Sequence, residues 1–142
     1  MRTLLCVILC LTLSGCGGPS AEVTGKLTWK DQPVSQADVK FVGVEDSEHQ
    51  VFTGFTDKEG AYRLDKGAQS KIPPGKYNVT VTFALQRNGK PLPEGELGDR
   101  LRNEGRVVQF EAVVQQEINE GDNVINLDVT KSAKRVAIVN DE

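Results

Sequence analysis

Apolar and polar residues alternate along most of the chain, and this period of two predicts β-strands. The clearest case begins at Tyr77, from which every second side chain up to Leu85 is apolar and the intervening ones are mostly polar. Six further segments alternate in the same way, so we expect about seven strands in one all-β domain. The predicted strands are residues 22–30, 37–42, 49–56, 61–64, 77–85, 107–118 and 124–130.

Short segments between these strands specify tight turns. In Thr56-Asp57-Lys58-Glu59-Gly60 the Asp side chain can bond its own backbone, and the Gly accepts a positive φ. We therefore predict that residues 61–64 pair with residues 49–56 as a hairpin. Pro73-Pro74-Gly75-Lys76 stiffens another connection, and residues 120–123 predict a last hairpin turn. Short strands with closely spaced turns predict a single antiparallel seven-stranded β-sandwich of Greek-key type.

The segment from Gln86 to Arg106 departs from the strand pattern. It contains four glycines, two prolines and charged residues of both signs. A connection of this length is unusual in a compact domain and is either functional or disordered. Leu97 and Leu101 lie four residues apart, as in a helix of one or two turns. Three interpretations stay open here: a mobile surface loop, a packed short helix, or a binding element.

The first fifteen residues have the pattern of an export signal. Arg2 supplies a positive charge, and residues 4–13 are an apolar run. A run of ten is too short for a permanent bilayer span, which needs about 20 residues. We therefore predict a signal segment that is removed from the mature protein.

The end of this signal, Leu13-Ser14-Gly15-Cys16, resembles the lipobox of bacterial lipoproteins. In those proteins the cysteine is lipid-modified and becomes the first mature residue. A thiol is the nucleophile that can carry a diacylglyceryl group, and the small Ser14 and Gly15 give the peptidase access to the bond before Cys16. The alternative is an ordinary signal peptide with a coincidental cysteine.

The lipobox interpretation divides the chain into four parts. Residues 1–15 are the lipoprotein signal peptide, 16–21 a lipidated tether, 22–130 the β-sandwich domain and 131–142 a C-terminal tail. The mature chain then keeps one cysteine and forms no intrachain disulfide. Two or more acyl chains anchor a protein stably. We expect a lipid-anchored membrane protein of the cell envelope, on the periplasmic or outer-membrane surface.

Composition and single residues exclude several classes of function. The net charge is −3 and no basic patch is dense, which argues against nucleic acid as a partner. His49 is the only histidine, so neither a zinc site with paired histidines nor a Ser-His-Asp triad with a spare base is available. Asp57, Glu59 and Asp65 offer oxygens to calcium, but a turn is the better interpretation, since calcium takes six or more ligands. We predict no enzyme, no metal and no cofactor.

Four segments in this order resemble carboxypeptidase regulatory-like domains. They are Val23-Thr24-Gly25-Lys26-Leu27 with Gln32-Pro33-Val34 and residues 37–41, then Thr56 to Leu64, then Pro74 to Val81, and Ile118 to Leu127 as a closing hairpin. The resemblance covers most of residues 23–130. It implies a transthyretin-like (prealbumin-like, Ig-like) sandwich of secreted and surface proteins that is usually non-catalytic. It implies no particular ligand.

Two functional hypotheses follow. The first is a lipid-anchored, non-catalytic module for protein binding, adhesion or scaffolding, acting through strand edges or the segment 86–106. The second is an accessory domain that binds carbohydrate or a small molecule, which exposed aromatic pairs or a concave pocket would favour. We expect Trp29 and Tyr77 to lie in the core or on a sheet face and not to form a sugar-binding platform. The partner, an envelope protein or a glycan, is not specified by the sequence.

Overall fold

The computed structural model describes residues 20–45, 50–64 and 72–136. These residues form two β-sheets and one short helix, which confirms the all-β class. The elements in chain order are β1 (Ala21–Trp29), β2 (Gln32–Pro33), β3 (Asp38–Gly43), β4 (Val51–Phe55), β5 (Ala61–Arg63), β6 (Gly75–Gln86), α1 (Glu96–Asn103), β7 (Val107–Ile118), β8 (Gly121–Val124), β9 (Leu127–Asp128) and β10 (Lys134–Arg135).

The larger sheet has the strand order β10-β7-β6-β3-β4, and all of its neighbours are antiparallel. Its central pair, β6 with β7, runs from Gly75 opposite Ile118 to Gln86 opposite Val107. The smaller sheet is built around β1, which pairs antiparallel with β2 and β5. On its other edge β1 pairs parallel with β8 and β9. These two pairings correct the prediction of a purely antiparallel fold.

The core lies between the sheets and takes side chains from both. In β6 the predicted alternation is confirmed, since Val79, Val81 and Phe83 are buried. Trp29 also packs against the core, with its ring centroid 5.7 Å from that of Phe110. Burial of such side chains stabilises a fold by about 1.5–3 kcal/mol each. The largest fully buried side chains are Phe41, Phe52, Phe83, Leu27, Leu64, Ile72, Ile118, Val23, Val39, Val79, Val81 and Val129.

The turn at residues 57–60 forms as predicted, but the hairpin around it does not. Asp57 Oδ1 accepts hydrogen bonds from the N–H groups of Glu59 (3.0 Å) and Ala61 (2.8 Å). The flanking strands then separate, because β4 pairs with β3 in the larger sheet and β5 pairs with β1 in the smaller one. Gly54 permits this corner, since a Cβ there would lie 2.4 Å from the Arg63 carbonyl oxygen.

The predicted last hairpin is also wrong. Residues 121–124 are not a turn but strand β8, which runs beside β1 in the smaller sheet. Asn123 stabilises the connection from β7 in the larger sheet to β8 in the smaller one. Its Oδ1 accepts a hydrogen bond from Asn119 N–H (3.0 Å), and its Nδ2 donates to the Asn119 carbonyl (2.7 Å). The inward positions Ile125, Leu127 and Val129 are buried as predicted, because the period of two is unchanged by the choice of partner strand.

Two boundaries differ from the sequence-based ones. Ile72, which lies outside the predicted strands, is fully buried and bridges to Ala21. After residue 130 the chain adds the edge strand β10 on β7. Several predictions lie outside the described residues, namely the signal peptide, the lipobox, His49, Asp65 and residues 137–142 of the C-terminal tail.

Candidate binding surfaces

The two ends of the domain are defined by β6 and β7. At one end, Ala21 exchanges backbone hydrogen bonds with Ile72 (2.6 and 2.8 Å), three residues before β6 begins. We call this the Ala21 end. At the other end, Gln86 opposite Val107 closes the pair, and the segment that includes α1 joins them. Since strands rise about 3.3 Å per residue, the length of β6 separates these ends by roughly 36 Å. The predicted lipobox residues Leu13, Ser14, Gly15 and Cys16 precede the Ala21 end in sequence and are not among the described residues.

Of the three interpretations of residues 86–106, the packed short helix is the one observed. Leu101 and Gly98 are buried, and a Cβ at Gly98 would lie 2.1 Å from the Pro93 carbonyl oxygen. The helix ends in a Schellman motif around Gly105, with hydrogen bonds from Gly105 N to Arg102 O and from Arg106 N to Leu101 O.

The charges of α1 are largely paired within the segment. Arg100 meets Glu104 at 3.4 Å, and Arg102 meets Asp99 at 3.3 Å. Arg102 also donates to Gln36 Oε1 at 2.8 Å, which ties the helix to the β2–β3 connection. The exposed apolar group of the helix is Leu97, at 51% exposure. The helix end therefore presents a self-neutralised surface with one apolar side chain.

A shallow, solvent-open depression of about 780 Å³ lies on the outer face of the smaller sheet and reaches the corner near β4. Phe55 forms one wall and is 71% exposed. Arg63 donates to Glu22 Oε1 at 2.9 Å, whereas Lys26 forms no ion pair with any described residue. The lining residues are Thr24, Gly25, Lys26, Phe55, Asp57, Ala61, Tyr62, Arg63, Val124 and Asn126.

Beneath this depression the backbone of Ile125, which lies between β8 and β9, packs directly against Gly25 of β1. The Ile125 carbonyl accepts a hydrogen bond from the buried Tyr62 hydroxyl at 2.7 Å. Asn126 Oδ1 accepts the Lys26 N–H at 3.0 Å and so replaces a backbone partner between β8 and β9. Burial raises the pKa of the Tyr62 phenol well above its usual value. Both hydrogen bonds are structural, because each joins a strand to one of the two residues that connect β8 and β9.

The edge of β4 that faces away from β3 has no partner strand within residues 20–45, 50–64 and 72–136. Gln50 and Thr56, on either side of β4, bond to β3 residues or their neighbours through Gly43 N to Gln50 O (3.2 Å) and Thr56 N to Ala37 O (3.1 Å). Hydrogen-bonded residues alternate along an antiparallel pair. The N–H and C=O groups of Val51, Thr53 and Phe55 therefore point to the open edge.

The sequence did not single out Phe55 as an exposed aromatic residue. Phe52 is 1% exposed and Phe55 is 71% exposed. Their spacing of three was the available signal, since residues three apart lie on opposite faces of a strand. Tyr77, by contrast, is buried as expected.

Neither a metal site nor a membrane-spanning helix is found in the part of the chain that the structure describes. No group of three or more His, Cys, Asp or Glu side chains comes together in these residues. Their helix, α1, is too short and too polar to cross a bilayer. Asp57, a candidate calcium ligand, holds the turn through its Oδ1.

No family model and no curated protein matches the chain. A solved structure is similar. It is a DUF3823 family protein from Parabacteroides merdae ATCC 43184, with a TM-score of 0.47 and 13% identity over 79% of this chain. The match covers 46% of that protein, so the present chain spans less than half its length.

Proposed function

We propose that this protein is a lipid-anchored, non-catalytic binding module of a bacterial cell envelope, with Cys16 as the acylated residue. The proposal rests mainly on the position of the Ala21 end. The chain enters the domain there, five residues after Cys16, while α1 lies at the opposite end of β6 and β7. A tether of so few residues holds the Ala21 end near the membrane and presents the rest of the domain outward.

The strand arrangement supports the seven-stranded Greek-key sandwich and the carboxypeptidase regulatory-like resemblance. β8 and β9 both pair with β1 and together act as one strand that is interrupted at Ile125 and Asn126. With β2 and β10 taken as two-residue additions, the described residues hold seven strands, three in one sheet and four in the other. We infer that the domain is a member of this transthyretin-like group.

The polar groups of the depression support a non-catalytic role. Asp57 holds a turn, Arg63 pairs with Glu22, and the Tyr62 hydroxyl donates to the Ile125 carbonyl. Catalytic acids and bases are typically held near a reacting atom with a shifted pKa. Tyr62 has a raised pKa, but its hydroxyl is buried and engaged with the backbone.

A second candidate function is binding of a carbohydrate or a small molecule. It is favoured by the exposed ring of Phe55 beside the depression and by the polar lining that includes Lys26 and Asn126. A sugar face stacking on that ring would make affinity depend on Phe55. In a glycan screen, binding that is lost in Phe55→Ala and retained in Lys76→Ala would favour this function over the first.

The anchor is tested by fractionating cells that express Cys16→Ser. We expect this variant in the soluble fraction and the wild-type protein in membranes, because the acyl chains supply the membrane affinity. Cys10→Ser is the matched control, since it lies in the predicted apolar run and should remain in membranes. Metabolic labelling with palmitate should mark the wild-type protein and Cys10→Ser only. If Cys16→Ser still pellets with membranes in carbonate, the anchor proposal is wrong.

A further inference from the structure

The open edge of β4 is the starting point. Val51, Thr53 and Phe55 direct their N–H and C=O groups away from β3, and no described residue pairs with them. Their side chains share the outer face, where Val51 is 42% and Phe55 is 71% exposed. Such an edge offers both main-chain hydrogen bonds and apolar contacts to an extended segment.

The two edges of the larger sheet differ, and the difference favours strand addition at β4 over strand addition at β10. At the far edge, β10 is only two residues long, Lys134 and Arg135, both of them cationic. Short, charged edge strands prevent pairing with other chains. Strand β4 has the sequence Val-Phe-Thr-Gly-Phe, with neither charge nor proline. One edge is therefore protected against strand addition and the other is not.

The neighbouring strand β3 determines which segment fits. Lys40 lies beside Thr53, and Val42 lies beside Val51 on the outer face. Lys40 forms no ion pair with a described residue. An added strand would lie roughly 10 Å from β3, two strand spacings away, which a lysine and a glutamate side chain span together.

Position 55 favours an apolar partner instead. Asp38 lies beside Phe55, and its buried Oδ1 has no hydrogen-bond partner in the described part of the chain. A second carboxylate there would be repelled, whereas an apolar side chain would cover the Phe55 ring. On the outer face, the added strand should therefore carry an apolar residue opposite Phe55, an acidic residue opposite Thr53 and an apolar residue opposite Val51.

A second copy of this chain fits the edge poorly if Cys16 is the anchor. Antiparallel pairing of two β4 strands turns the copies in opposite directions along the strand axis, so their Ala21 ends point apart. Two chains anchored in one membrane need both of these ends toward it. The opposing Lys40 side chains would also face each other across the new pair.

We propose that β4 binds an extended segment of a partner protein by antiparallel strand addition, and that Lys40 selects an acidic residue opposite Thr53. This deepens the proposed protein-binding function and names the surface and the chemistry of the partner. The segment alternates, with apolar residues on either side of the acidic one on the outer face.

The probe is the labelled peptide Thr-Val-Thr-Glu-Thr-Val-Thr, titrated against the protein as purified from the cells that express it. Wild type should bind it at least about fivefold more tightly than the peptide with Lys in place of Glu. Lys40→Glu should reverse this preference. Lys76→Glu, a reversal at the far end of β6, is the matched control and should leave it unchanged. Equal affinity for both peptides, or no saturable binding, would overturn the proposal.

Main-chain pairing is tested on the peptide and thus without risk to the fold. N-methylation of the glutamate removes an N–H that faces β4 and should abolish binding, whereas N-methylation of the preceding threonine, whose N–H faces away, should not. Thr53→Pro should also abolish binding, because it removes an N–H of β4 that faces the peptide. The fold should tolerate this change, since proline is accepted where a strand N–H faces solvent. Equal binding of the two methylated peptides would rule out strand addition.

Hydrogen exchange checks that the edge is open in the unliganded protein. The N–H groups of Val51, Thr53 and Phe55 should exchange faster than those of Phe52 and Gly54, and the peptide should protect them. Protection without peptide would mean that another part of this chain, or a second copy, already covers the edge, and the proposal would be wrong. These results do not depend on the fractionation of Cys16→Ser, so either proposal can fail alone.

Discussion

Substitution of Gly25 by alanine should destabilise the domain severely. Gly25 lies where β1 passes over the Ile125 carbonyl, and a Cβ at this position would be 1.8 Å from that oxygen and 3.0 Å from Tyr62 Cε1. Side chains of a close-packed interior do not absorb such an overlap, so Ile125 must shift by more than about 1 Å.

The cost follows from what that shift breaks. Ile125 N donates to Thr24 O (2.7 Å), Tyr62 Oη donates to Ile125 O (2.7 Å), and Lys26 N donates to Asn126 Oδ1 (3.0 Å). A hydrogen bond contributes about 0.5–1.5 kcal/mol, and overpacking costs about 1–3 kcal/mol. We expect a loss of about 3–6 kcal/mol, a large part of the roughly 5–15 kcal/mol of a typical domain.

Urea unfolding followed by the fluorescence of Trp29, the single tryptophan, measures this loss. Thr24→Ala is the matched control, because its side chain is exposed on the same strand, and it should stay within about 0.5 kcal/mol of wild type. Tyr62→Phe should cost less in the Gly25→Ala background than in wild type, since the hydrogen bond is already lost. If Gly25→Ala were as stable as Thr24→Ala, the close approach of the Ile125 carbonyl to Gly25 would be contradicted.

Two further changes test other contacts. Thr56→Val should cost about 1–3 kcal/mol in the same urea assay, because the buried Ala37 N–H (2.9 Å from Thr56 Oγ1) loses its acceptor; a change within 0.5 kcal/mol would contradict this. Stability should fall as the pH rises above about 10, the pKa of an unfolded tyrosine, because the folded state holds Tyr62 neutral. Tyr62→Phe should weaken this dependence of the free energy of unfolding on pH. If the variant showed the same dependence as wild type, other groups would be its cause.

The sequence predicted which face of each strand is buried better than it predicted which strands pair. Inward positions such as Val79, Phe83 and Leu127 are buried as expected, since alternation depends only on the local backbone. The Asp57 turn also formed, because its hydrogen bonds lie within five residues.

The strand pairing was predicted wrongly at the points where the chain passes from one sheet to the other. A tight turn has the same local chemistry whether its flanking strands pair or separate, so the Asp57–Gly60 turn was mistaken for a hairpin. Gly54 and Gly25 were the useful signals, because a glycine in the middle of a strand pattern often marks a close approach of another backbone. For Gly54 that backbone belongs to Arg63, nine residues later, and for Gly25 it belongs to Ile125, 100 residues later.

The open edge of β4 could be predicted only in part. That Val51 and Phe55 share a face followed from their even spacing. Which edge of the sheet stays unpaired depends on the strand order β10-β7-β6-β3-β4, which is set by contacts between distant segments. No local pattern in β4 distinguishes an edge from an interior strand.

The parallel contact between β1 and β8 joins residues about 100 positions apart, such as Ala21 and Gly121. A chain that crosses a membrane amino terminus first must therefore deliver nearly all of its length before its smaller sheet can close. Until then β1 lacks its neighbour on one side, and a protein truncated before Gly121 never acquires it. Completion of the smaller sheet is thus timed by the arrival of β8 and β9, which both pair with β1.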